Sequence, residues 1–143
     1  MTKLTEHFTL EEMCHSQTAI REGVDNTPDP DSMSNLLSTA AGLEKVRELL
    51  GKPIFISSGY RSPIVNKRVG GSNNSQHMVG QAADITCHSY GTAKQVAQAI
   101  VESNILFDQC ILEFDSWCHI SFSPTPRRQS LIIDSEGTRL WGT

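Results

Sequence analysis

The sequence predicts an α+β fold: a small antiparallel sheet with helices packed on one side. Helical apolar spacing dominates the first half of the chain, and short β-rich runs joined by tight connections close it. No internal repeat, low-complexity tract or linker divides it. With 143 residues and 15.8 kDa, the whole span 1–143 reads as one domain. A chain of this size buries roughly two-thirds of its unfolded surface, so its core does not depend on covalent staples.

The elements follow in order. Thr9-Leu10-Glu11-Glu12 has the spacing of a capping box, with a short helix to about His15 and a break at Gly23. Asp25-Asn26-Thr27-Pro28-Asp29-Pro30 is a turn-rich crossing in which two prolines oppose helix. From Asp31 or Ser32, apolar residues Met33, Leu36, Leu37, Ala40, Leu43, Val46, Leu49 and Leu50 recur at helical spacing up to Gly51. Pro53 to Ser58 is β-rich and ends at Gly59. The segment 61–81 is polar and rich in Gly, Ser and Asn, longer than an ordinary connection, and such loops commonly carry function. Ala82–Thr86 resumes a strand, and Thr92–Ser103 is an amphipathic helix. Gln109–Phe114, Trp117–Phe122 and Ser130–Asp134 are the closing β runs.

Twelve Lys+Arg against sixteen Asp+Glu give a formal charge of −4, with a pI near 5.7. That balance argues against gripping a nucleic-acid backbone, which needs clustered positive charge. No apolar run approaches the ~20 residues of a membrane span, so membrane insertion is not expected. The opening MTKLTEHFTLEEM lacks the apolar stretch of a secretory signal, so cytoplasmic synthesis is the expectation. Cys14, Cys87, Cys110 and Cys118 form no close framework and read as free thiols.

The chemistry concentrates in two places. His77 and Asp84 lie in Ser75-Gln76-His77-Met78-Val79-Gly80-Gln81-Ala82-Ala83-Asp84, and His119 in Trp117-Cys118-His119-Ile120-Ser121. Two imidazoles and a carboxylate suit Zn²⁺ and leave a fourth tetrahedral position open. Spacing alone is equally compatible with a loop histidine, a strand histidine and a turn carboxylate. Cys87-His88 and Cys118-His119 are poor metal pairs, because adjacent strand residues point to opposite faces.

Taken together, Ser57-Ser58-Gly59-Tyr60-Arg61-Ser62, Asn66, Val69-Gly70-Gly71, Ser75-x-His77-x-x-Gly80-x-Ala82-x-Asp84 and Trp117-x-His119 resemble the zinc D-Ala-D-Ala carboxypeptidase family. That family includes phage peptidoglycan endopeptidases and shares its fold with the Hedgehog signalling domain. The opening residues 4–12 and the 25–28 crossing resemble its small phage and prophage branch. The resemblance implies one zinc per chain on His77, Asp84 and His119, with Arg61 and Ser75 as substrate-binding residues and peptidoglycan peptides as substrates. It also implies a route to the cell wall by phage-assisted release. Better-known members carry an acidic base three places before the second histidine, where this chain has Ser116. Glu113 is the first candidate for that role and Asp115 the second. A three-residue hairpin loop would set Glu113 opposite Trp117, on the face of His119, and a two-residue loop would turn it away. A zinc-bearing module that binds without cutting is the competing expectation.

Overall fold

Thr9 caps the first helix as its spacing predicts. In a computed structural model, which describes residues 2–141, Thr9 Oγ1 accepts from the Glu12 amide and Glu12 Oε1 accepts from the Thr9 amide. Helix α1 (Leu10–Cys14) is followed by α2 (Gln17–Glu22), which ends at left-handed Gly23. Helix α3 (Pro30–Leu50) starts earlier than the prolines implied. Pro30 occupies the first helical position, where its missing N–H is not needed, and Asp29 Oδ1 caps the Ser32 amide. Leu36, Ala40, Leu43, Val46 and Leu50 form the buried stripe, whereas Leu37 and Leu49 face outward.

Strand β1 (Phe55–Ser58) leads into the long polar segment. That segment is more ordered than its composition implied: it holds α4 (Pro63–Arg68), capped by Ser62, and a 3₁₀ turn (Gln76–Val79) capped by Ser75. The remaining elements are β2 (Ala82–Thr86), α5 (Ala93–Glu102), β3 (Gln109–Glu113), β4 (Trp117–Ser121), β5 (Gln129–Asp134) and β6 (Gly137–Leu140). The expected antiparallel sheet is mixed. Its six strands run β1-β2-β4-β3-β5-β6, and β3 pairs with β5 in parallel. The cause is local: β2 already occupies the other edge of β4, so after β4 the chain must cross to the free edge of β3. Segment 122–128 carries it back to the start of β3, where Arg128 N donates to Phe107 O (3.1 Å) and Gln129 N to Asp108 O (2.9 Å). Strand β6, absent from the sequence expectation, turns back on β5 through Gly137.

Strand alternation then sorts the side chains. Ala83, Ile85, Cys110, Leu112, Cys118 and Ile120 join the core with residues of α3 and α5. Asp84, His119, Ile111 and Glu113 share the opposite parity. Cys110 and Cys118 are thiols with sulfurs 3.6 Å apart, buried directly behind His119. No helix among the described residues is long and apolar enough to cross a membrane.

Candidate active site

Three segments converge on one point. Asp84 on β2 is the register partner of His119 on β4, and the 3₁₀ turn lays His77 over them. Candidate ligand atoms of the three residues lie within 4.8 Å of one another. The two imidazoles meet edge to face, with centroids 5.0 Å apart. His77 and Asp84 are buried and His119 nearly so. Burial works against a charged Asp84, yet the His119 and His77 rings more than offset it and hold the carboxyl well below the usual carboxylate range.

The turn that carries His77 is itself braced. Thr39 Oγ1 donates to Gly80 O (2.7 Å) and Asn35 Nδ2 to Val79 O (2.8 Å), tying the turn to α3. Gly80 has φ +76°, and a Cβ there would lie 2.5 Å from the Ser32 carbonyl oxygen, so glycine is required twice over. Gln76 Nε2 donates to Asp108 Oδ2 (2.8 Å), and Asp108 is clamped by the Arg127 amide, Nε and Nη2.

His77 Nδ1 lies 2.7 Å from Gly59 O. A carbonyl only accepts, so Nδ1 carries the proton and Nε2 of the neutral ring presents a lone pair. That Nε2 is buried without a hydrogen bond, although Asp84 Oδ1 is 3.2 Å away. Two acceptors facing each other at this distance repel unless a positive charge, a proton or a metal ion, stands between them. A ligating histidine whose second nitrogen donates to a carbonyl is the usual arrangement around zinc, so these donors fit that metal. Gly59 can offer its carbonyl only as a glycine: a Cβ there would stand 2.2 Å from Met13 O.

Glu113 lies on the same face. The hairpin between β3 and β4 has a three-residue loop, Phe114-Asp115-Ser116, and pairs Glu113 with Trp117. Trp117 Nε1 donates to Glu113 Oε2 at 2.8 Å, fixing one carboxylate oxygen and leaving the other. Asp115 sits at the exposed turn with φ +53°. The Trp117 donor was not foreseeable without the loop length, which alone brings Trp117 level with Glu113.

Arg61 is joined to the same turn through its amide, which donates to His77 O (3.0 Å). Burial lowers the pKa of its guanidinium, against the pull of Asp84 and Glu113, but an arginine remains charged at any physiological pH. Its Nε is buried without a hydrogen-bond partner. Ser75 Oγ accepts from the His77 amide (3.2 Å), so this serine is first a cap of the 3₁₀ turn. Arg61 and Asp84 line a cavity of about 810 Å³ that continues past β1 and the α1–α2 junction.

A model of the Peptidase M15 family matches residues 6–121, a span holding Arg61, Ser75, His77, Asp84, Glu113 and His119. The chain belongs to the Peptidase M15 family. Over 59 residues it is 44% identical to the zinc D-Ala-D-Ala carboxypeptidase of Streptomyces albus G. That stretch is 41% of this chain and spans only 23% of the relative's length.

Proposed function

We propose that this M15 chain is a zinc-dependent peptidase of peptidoglycan stem peptides, with His77, Asp84 and His119 as the metal ligands. The observation that carries the reading is the buried, unpartnered His77 Nε2 facing Asp84, with Glu113 on the same face of the sheet. Zinc held there supplies Lewis acidity toward a peptide carbonyl and the attacking water. Glu113, steadied by Trp117, takes a proton from that water at its free oxygen and returns it to the departing amine. Arg61 meets a substrate carboxylate with a planar fork, which fixes the peptide in register. Ser75 keeps its hydroxyl hydrogen for the substrate while accepting from the His77 amide.

The resemblance of residues 4–12 and 25–28 supports a place in the phage and prophage branch, and with it delivery to the cell wall by phage-assisted release. Incubation with muropeptides, followed by mass analysis of the products, tests the function. Loss of one alanine marks a carboxypeptidase, and release of a longer piece marks an endopeptidase. Zinc-loaded protein that leaves muropeptides intact would overturn the reading in favour of a binding module.

A further inference from the structure

The cavity at Arg61 and Asp84 is larger than a metal site and one carboxylate require, and its shape follows from β1. This strand is the edge of the sheet, with β2 on one side and no strand on the other. Phe55, Ile56, Ser57 and Ser58 all line the cavity. Successive strand side chains point to opposite faces, so a cavity touching four in a row runs along the strand's edge. Among the described residues, no backbone group outside β2 hydrogen-bonds to the Phe55–Ser58 backbone. The edge therefore keeps a row of unpaired amides and carbonyls. The α1–α2 junction, with Glu12 and His15, forms the facing wall.

Register gives the groove a direction. Ser58 pairs with Asp84, and Phe55 with Thr86, across a bulge at Ser57. The strand thus leads away from the metal ligands over three steps, about 10 Å at the usual rise. A strand edge opposite a helical wall is the arrangement in which an extended peptide adds as a further strand.

We propose that the groove takes its substrate as an extended peptide laid along the edge of β1, so that about three residues to one side of the scissile bond are held by main-chain hydrogen bonds. The inference rests on the peptidase reading above, and it makes the substrate class a peptide of several residues rather than a dipeptide. Because Arg61 and Asp84 line the same cavity, the bound segment is continuous with the reacting centre.

Binding is read on zinc-loaded Glu113→Gln protein, where occupancy can be followed without turnover, using a stem-type tetrapeptide and copies methylated at one backbone nitrogen each. The tetrapeptide should shift the amide resonances of residues 55–58. Methylation should weaken binding about tenfold at alternate positions only, since one main-chain hydrogen bond is lost at each inward-facing nitrogen. Equal sensitivity at every position, or no shifts at 55–58, would overturn the proposal. Phe55 is 64% exposed, so Phe55→Ala should fold normally and reduce the advantage of the tetrapeptide over a dipeptide. The two readings fail separately. A tetrapeptide that binds on β1 but is not cut by the wild-type zinc protein sinks the peptidase and leaves the groove. Muropeptide cleavage with equal kcat/KM for dipeptide and tetrapeptide sinks the groove and leaves the peptidase.

Discussion

With Nδ1 committed to the Gly59 carbonyl, His77 has a single nitrogen left, and that nitrogen faces a carboxylate. The chemistry of the site turns on which groups have a partner. His119→Ala removes one of the three proposed ligands, so elemental analysis of protein purified without chelator should show zinc in the wild type and its loss in the variant. Glu113→Gln keeps the Trp117 contact but cannot take a proton. It should lower kcat by about 10²–10⁴-fold with zinc retained. Asp115→Asn, at the exposed turn, should change kcat little, and the opposite pattern would move the base to Asp115. Arg61→Lys keeps the charge and loses the fork, so kcat/KM should drop by about tenfold. Equal values in the two proteins would make Arg61 a purely structural cation.

The elements show where sequence patterns inform and where they stop. The Thr9–Glu12 box and the stripe of α3 were legible because each depends on residues close in the chain. Helix α4 was hidden by the Gly, Ser and Asn around it, although Ser62-Pro63 is a cap followed by a first-position proline. The parallel β3–β5 pairing had no local signal, since it depends on which edge was already occupied. Sequence could state the two registers open to Glu113 but not choose between them; three loop residues choose. Gly80→Ala meets positive φ and the Ser32 carbonyl together, and should destabilise by about 1–3 kcal/mol in chemical denaturation.

At the scale of the molecule, Asp108 joins three parts that are distant in the chain: the turn before His77, the start of β3 and the connection into β5. Sequence gave no reason to single it out, because its partners meet only in the folded state. The Arg127 guanidinium, against the cost of burial, holds its carboxyl down at about 2, from an ordinary 3.8. A lowered pKa means the stabilisation is full above the ordinary value and is lost as pH falls from about 4 to about 2. Asp108→Asn should therefore lower stability at pH 7, and the gap to wild type should close near pH 2 in urea titrations. The His119–Asp84 pairing has a consequence of another kind. Its two members are 35 residues apart and meet only when β2 and β4 are in native register, so an unfolded chain cannot assemble the proposed ligand set. Zinc then acts on the folding equilibrium by mass action. Free metal at a hundredfold excess over its dissociation constant would add about 2.7 kcal/mol to the folded state, and Tm should climb with zinc concentration and drop on chelation.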